Sequence, residues 1–448
     1  MKMSAPESEF LHTLFGSLHS QRVAYAIARD WENLPQSLGG SDLDILTGCE
    51  EDMRKVVRLA EKAAELCNGR VLVKYQVELC AVSFGGRTDC GDWWGAHLDI
   101  SVGNKYHGFF YFDPQSVIEG RVWDERGFYR VGFGVGVIAF MKELLANGKD
   151  RKNYYKMARE DFSASQASIE KAMLPYFGDA GFALVSDVLS NEFTPRQLAN
   201  VHSKIYRALM LNFAKRHGMV ALLGLKAGNY WRRICRILHP AGFFVAFAGT
   251  DGSGKSTVIG AIERPVYAML HNKIVYRHLR PGLLPPLSRL MGKPHKEGPV
   301  TDPHSGATPG TLLSLLRFCY YLLDYTLGYW VKIYPVIARH GYLVVCDRYY
   351  YEYLIDQRRL AVRLPLWLVK AARVLVPEPK TVFCLVGDSA EIHRRKPELE
   401  QDEVERQVNA WTAFAANEPR ACLVTTTKDL RSTVDDVLLV LIERMSKR

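Results

Sequence analysis

Along the first half of the chain the apolar positions change period more than once. Over residues 54–67, Val56, Val57, Leu59, Ala60, Ala63, Ala64 and Cys67 recur at helical spacing and predict an amphipathic helix. Residues 71–84, rich in β-branched and aromatic side chains, and residues 95–102 read as strands. From about 139 to 235 the pattern is mostly helical. Pro240 and Gly242 then punctuate the chain before the unbroken apolar run Phe243–Ala248. Beyond it, short apolar strands alternate with helices. A helix is expected at 256–264, ended or kinked by Pro265. A Pro-, Gly- and His-rich loop is expected at 282–307, with helices from 311 to about 339. Strand 342–346, helix 366–375, strand 381–386 and a final helix at 434–445 complete the series. Strands separated by helices imply a parallel sheet covered by helices on both faces. The expected organisation is an α+β domain over 1–138, a helical connector over 139–238 and an α/β domain over 239–448.

Charge narrows the partners. The 448 residues carry a net charge of +10, which favours anions: nucleotides, sugar phosphates, nucleic acid or an acidic membrane surface. Nucleic acid stays among these partners, and a homodimer is a separate expectation. The nine cysteines contain no C-x-x-C pair and read as reduced thiols of a cytoplasmic protein, with no zinc site. The N-terminal MKMSAPESEF lacks the apolar core of a signal peptide. No run reaches the roughly 18 apolar residues of a membrane span. The nearest, 311–345, carries Arg317, Asp324 and Lys332 and reads as buried helices. Peripheral membrane contact stays open.

The candidate chemistry begins directly after Phe243–Ala248. Gly249, Thr250, Asp251, Gly252, Ser253, Gly254, Lys255 and Ser256, followed by Thr257, fit G-x-x-x-x-G-K-[ST]. Glycines let successive backbone N–H groups face phosphate oxygens, and the following helix adds its positive end. Lys255 is placed to reach the β and γ phosphates of ATP, and the Ser256 hydroxyl to ligate Mg²⁺. A second element is strand 343–346 running into Asp347, Arg348 and Tyr349, an acid and an arginine at the carboxyl end of a strand, where such sheets bind ligands. A third is the basic stretch Glu391–Lys396, with Arg394 and Arg395 placed to neutralise charge on a transferring phosphoryl group.

The string FAGTDGSGKST and the Asp347-Arg348-Tyr349 element resemble the thymidylate kinase family, over roughly residues 243–448. The resemblance implies a P-loop kinase using ATP and Mg²⁺. Asp347 would lie near metal and acceptor, Arg348 would hold a phosphoryl group, and Arg394 and Arg395 would act from a mobile lid. Two departures concern the acceptor side. Of the family's Arg-Glu-Pro-Gly segment only Arg280, Pro281 and Gly282 are reminiscent, and Tyr353-Leu354-Ile355-Asp356-Gln357 replaces its Tyr-Gln pair. This variant looks like the divergent thymidylate kinase-like proteins associated with bacterial surface-polysaccharide synthesis, so the acceptor is a nucleotide or a sugar or glycan hydroxyl. Arg280, Arg317 and Asp324 are candidate acceptor contacts. For a hydroxyl acceptor, Asp251 or Asp347 is the candidate base.

In the N-terminal region, Gly39-Gly40-Ser41-Asp42-Leu43-Asp44-Ile45 resembles the D-x-D strand of the nucleotidyltransferase superfamily. Residues two apart on a strand face the same side, so Asp42 and Asp44 could share metal ions, with Asp99 as a third carboxylate. The superfamily's Gly-Ser element normally stands about ten residues earlier, where Ala26-Ile27-Ala28-Arg29-Asp30 stands here. The aromatic stretch around Asp99 (Trp93, Trp94, Tyr106, Phe109 to Phe112) reads as core. The combined expectation is an ATP-dependent kinase of the P-loop class behind a nucleotidyltransferase-like domain. The alternative is nucleotidyl transfer at Asp42, Asp44 and Asp99 with the P-loop domain regulatory.

Overall fold

The computed structural model describes residues 5–76, 78–150, 153–271, 273–290 and 310–447. Most of the expected 282–307 loop lies outside them. The chain divides into two compact units, Met1–Cys235 and Arg236–Arg448.

The first unit opens with helix α1 (Ser8–Ser20), strands β1 (Tyr25–Ile27) and β2 (Leu43–Thr47), and helix α2 (Glu50–Leu66). There follow β3 (Gly69–Gln76), β4 (Cys80–Arg87), β5 (Trp93–Val102), β6 (Asn104–Tyr106), β7 (Phe109–Phe112), helix α3 (Pro114–Glu119), β8 (Val122–Asp124) and β9 (Phe128–Arg130). Helices α4 (Val135–Asn147), α5 (Tyr154–Ser190), α6 (Pro195–His217) and α7 (Met219–Leu238) come last. Seven strands form one sheet in the order β3-β4-β5-β2-β1-β9-β8. The expected single strand over 71–84 is instead a hairpin, β3 paired antiparallel with β4 and closing at Gln76 opposite Cys80. The apolar pattern runs unbroken through the reversal, which contains no Gly or Pro to mark it.

The seven apolar residues read on one side of 54–67 are all buried, six within α2 and Cys67 just after it. Trp94 stacks on Phe10 at 5.1 Å and donates from its indole nitrogen to the Cys67 carbonyl. Around Asp99, Trp94, Phe109, Tyr111 and Phe112 are buried, as core residues are. Helices α4 to α6 share one apolar cluster with the strand residues Ala26, Leu46 and Phe109.

The second unit is α/β. Its strands are β10 (Phe243–Ala248), β11 (Ile274–His278), β12 (Leu343–Asp347), β13 (Thr381–Val386) and β14 (Ala421–Thr425). They form a parallel sheet in the order β11-β12-β10-β13-β14, flanked by helices. The helices are α8 (Lys255–Leu270), α9 (Leu287–Leu290), α10 (Thr311–Gly328), α11 (Tyr334–His340), α12 (Glu352–Ile355), α13 (Leu366–Ala372), α14 (Ser389–Arg395), α15 (Gln401–Asn417) and α16 (Leu430–Ser446). All six residues of central β10 are buried, which is why its sequence is continuously apolar rather than alternating. Helix α8 does not end at Pro265; it runs on to Leu270. Proline removes one backbone donor, but Val266, Met269 and Leu270 beyond it are buried. Burying side chains of this size stabilises by about 1.5–3 kcal/mol each, enough to offset the loss. No described helix is long and apolar enough to cross a membrane.

Candidate functional site

The phosphate loop is held by the strands around it. Gly249 has φ +143° and a side chain there would lie 2.4 Å from the Leu385 carbonyl of β13, so only glycine fits. Gly254, at φ +88°, caps α8 in the left-handed conformation. Lys255 is buried, and its ammonium donates to the loop's own carbonyls at Gly249 and Thr250, both at 2.8 Å. Burial, then the neighbouring Arg348 charge, pulls its amine down to about 7.

Asp347 ends β12, which pairs directly with β10 and places Asp347 opposite Phe247. One carboxylate oxygen accepts from the Tyr276 hydroxyl at 3.0 Å and lies 3.7 Å from His278 Nδ1, both on β11. The other, Oδ1, is buried with no hydrogen-bond partner among the described residues, as is the Ser253 hydroxyl in the loop. Burial pushes the Asp347 carboxyl up, but the His278 hydrogen bond and the charges of Lys255 and Arg348 outweigh it and hold it below the ordinary range. A cavity of about 410 Å³ is lined by Ser256, Glu263, Tyr276 and Val345 among others, and the Tyr276 hydroxyl bonded to Asp347 belongs to that lining residue.

Arg348 adopts φ +69°, a strained backbone for a residue with a side chain. Its guanidinium is 4% exposed and donates to Asp251 at 2.5 Å and to Glu352 at 2.7 Å. Burial raises the Glu352 carboxyl against the lowering effect of Arg348 and Lys255. Asp251 is also paired with Arg359 and lies 3.9 Å from Lys396. The loop is therefore ringed by four cations. Three residues around it, the acid Glu352 and the cations Arg359 and Lys396, were not singled out from the sequence, because α12, the segment after it and the end of α14 reach the loop only through tertiary packing. Arg394 and Arg395 are not brought to it. Both turn back to Glu391 on their own helix, with side chains 77% and 49% exposed. Helix α14 itself abuts the loop, since a side chain at Gly252 would lie 3.1 Å from the Ile392 carbonyl. Ser256 and Thr257 are exposed at the start of α8.

The three acceptor-side candidates cluster around one aromatic ring. Asp324 is fully buried; it accepts from Arg280 at 2.9 Å and from the backbone N–H groups of Leu283 and Leu284. The Arg280 and Arg317 guanidinium carbons stand 4.4 Å and 5.8 Å from the Tyr321 ring centre. Asp324 thus fixes the turn that carries Arg280, and the two arginines flank Tyr321.

In the first unit, the parallel pairing of β2 with β5 sets Asp44 opposite Asp99, and Asp42 lies two residues before Asp44. Oxygens of the three carboxylates lie within 4.8 Å of one another, close enough for a single ion. Arg29, two residues past the end of β1, the strand paired with Asp44's β2, donates to Asp44 at 2.5 Å and lies 3.9 Å from Asp42. Its other nitrogen donates to the Tyr154 hydroxyl at 2.9 Å. Burial raises the Asp44 carboxyl, Arg29 opposes that, and Asp42 adds to it. Asp99 lies 3.3 Å from His97 Nε2, whose other ring nitrogen meets the Ser83 hydroxyl at 2.7 Å. Arg29 and His97 were not read as site residues.

No family model and no curated protein matches the chain. Among solved structures, a thymidylate kinase from Ehrlichia chaffeensis is similar at TM-score 0.32 and 18% identity, over 45% of this chain and 100% of that one. A thymidylate kinase from Candida albicans is similar at TM-score 0.34 and 16% identity, over 46% of this chain and 94% of that one.

Proposed function

We propose that the second unit is an ATP-dependent phosphotransferase whose acceptor is a nucleotide or a sugar or glycan hydroxyl of surface-polysaccharide synthesis. One observation carries the reading. A complete phosphate loop holds a buried lysine on its own carbonyls, beside buried Asp347 Oδ1 and Ser253 Oγ atoms that have no hydrogen-bond partner among the described residues. Incoming phosphate oxygens would replace the two carbonyls as acceptors for Lys255 and favour its charged form. The loop N–H groups and the start of α8 bind the remaining negative charge. Ser256 and Asp347 would hold Mg²⁺, Asp347 directly or through water, and the ion supplies charge neutralisation between the phosphates. Arg348, steered by Glu352 and Asp251, faces the transferring group. Asp251 is already shared among Arg348, Arg359 and Lys396, so Asp347 is the better candidate base for a hydroxyl acceptor. Arg280 and Arg317 around Tyr321 suit an anionic or hydroxylated acceptor, and this remodelled side is why thymidylate is not the expected substrate. Steady-state assays with ATP over a panel of nucleotides and glycans test the proposal. Lys255→Ala is expected to abolish turnover, and unchanged ATP affinity and turnover would sink it.

The convergence of Asp42, Asp44 and Asp99 favours a second reading, nucleotidyl transfer by the first unit with the phosphate loop regulatory. Activity lost on Asp42→Asn and Asp44→Asn but kept on Lys255→Ala selects it.

A further inference from the structure

Helix α8 and strand β11 line a cavity of about 410 Å³ in the second unit. On α8, Ser256, Gly260, Glu263 and Tyr267 follow one another at spacings of four, three and four, which is one face of a helix. On β11, the edge strand of its sheet, Ile274 and Tyr276 stand two apart and so share a side. The volume is in the range of small-molecule pockets, and the lining is of their kind, apolar and aromatic with few polar groups. Two of these residues also belong to the phosphotransfer site. Tyr276 is 50% exposed, and its hydroxyl donates to Asp347 at 3.0 Å. Ser256 is the proposed Mg²⁺ ligand. At Gly260 a side chain would meet nothing within 4 Å outside its own helix turn, so the space above α8 is open there.

Charge selects the occupant. Among the described residues no Lys, Arg or His lines the cavity, and Glu263 has neither an ion pair nor a hydrogen bond. An ionised carboxylate only accepts hydrogen bonds and repels an anion, so a phosphate-bearing acceptor is disfavoured here. The Mg²⁺ expected at Ser256 opposes a cation in the same way. A neutral ring with several hydroxyl donors satisfies both conditions, and tyrosines give it apolar contact with a polar tip. We propose that this cavity holds the acceptor as a neutral sugar, its hydroxyls donating to Glu263 and its carbons packing on Tyr267 and Tyr276. The proposal rests on the phosphotransferase reading and narrows its acceptor to a sugar hydroxyl. The hydroxyl oxygen bonds to the γ-phosphorus of ATP. The bond from that phosphorus to the β–γ bridging oxygen breaks, its electron pair leaves with ADP, and the hydroxyl proton passes to Asp347.

The test is saturation-transfer NMR on the full-length protein loaded with Mg²⁺ and adenylyl imidodiphosphate, with glucose, N-acetylglucosamine, maltose and thymidine monophosphate as probes. At least one sugar is expected to show transfer. Gly260→Leu fills the cavity and favours the helix, so the fold is kept. It should weaken that sugar about tenfold or more, as an overfilled site does, while adenylyl imidodiphosphate binds as in wild type. Glu263→Ala should weaken the sugar about fivefold through a lost hydrogen bond. The proposal is overturned if no sugar probe shows transfer or if Gly260→Leu binds the sugar as well as wild type does. It is equally overturned if thymidine monophosphate is the probe that Gly260→Leu displaces, for the cavity then takes a nucleotide. Failure of the phosphotransferase reading shows separately, as wild-type protein that does not bind adenylyl imidodiphosphate.

Discussion

The two charged centres of this protein are electrostatic opposites. At the phosphate loop, Lys255, Arg348, Arg359 and Lys396 surround Asp251, Asp347 and Glu352, and the leading cation rests on backbone carbonyls. In the first unit, Asp42, Asp44 and Asp99 converge around one arginine, Arg29. The first arrangement suits an anion and the second a cation. In each, buried charges are already paired within the protein: the Lys255 ammonium with loop carbonyls, and Asp44 with the Arg29 guanidinium; under the proposed reading, phosphate oxygens and a metal ion would take those places. A buried charge is costly unless paired, which is why both centres carry their own opposite charges or carbonyl partners.

The comparison breaks most readily at Glu352. Glu352→Leu leaves the Arg348 guanidinium with one fewer buried partner and should cost about 3–5 kcal/mol of stability. Urea unfolding measures it, and a change within error would mean that water already serves Arg348. Next is Lys255→Ala, expected to lower turnover by about 10²–10³, as losing a main stabiliser of transition-state charge does. In the first unit, Arg29→Met removes the guanidinium. Opposite charges about 4 Å apart contribute about 1–4 kcal/mol, so Mn²⁺ read by paramagnetic resonance should bind at least about fivefold more tightly. Weaker binding would show that Arg29 organises the acids instead of competing for them.

The smallest effect is a proton. Lys255 is depressed in the folded protein, to about 7 against 10.5 for a free lysine. Between those values the unfolded chain holds more protons, so this group makes stability rise with pH through that window. Phosphates favour the charged amine, so ATP binding near pH 8 should take up a fraction of a proton. Calorimetry in buffers of different ionisation enthalpy reads this directly, and the uptake should vanish in Lys255→Met.

Much of this was legible in order along the chain. The loop Gly249–Ser256 lies between a buried strand and a helix because local pattern and turn chemistry state both. The spacing of Asp42 and Asp44 shows a shared side because strand periodicity is two. Partners remote in sequence were not legible. Arg359 and Lys396 meet Asp251 across about 108 and 145 residues of separation, and nothing local marks them. Arg394 and Arg395 looked equivalent to Lys396 by charge, yet helix geometry turns them to Glu391 and leaves Lys396, past the last turn, near Asp251. The acceptor-side pair behaved similarly. Arg317 and Asp324 were readable as one side of a helix, but only packing shows that Asp324 is fully buried under the Arg280 turn.

The sequence by itself determined the alternation of strand and helix in the second unit, the phosphate loop and the identity of its lysine, because backbone conformation and apolar periodicity are local properties. Tertiary structure alone decided which charges face one another. The register of β2 on β5 sets Asp44 opposite Asp99, and the pairing of β10, β11 and β12 gives Asp347 its Tyr276 and His278 neighbours. Strand register and helix docking are chosen by the whole core at once, since a slip of one residue would turn every buried side chain of a strand outward.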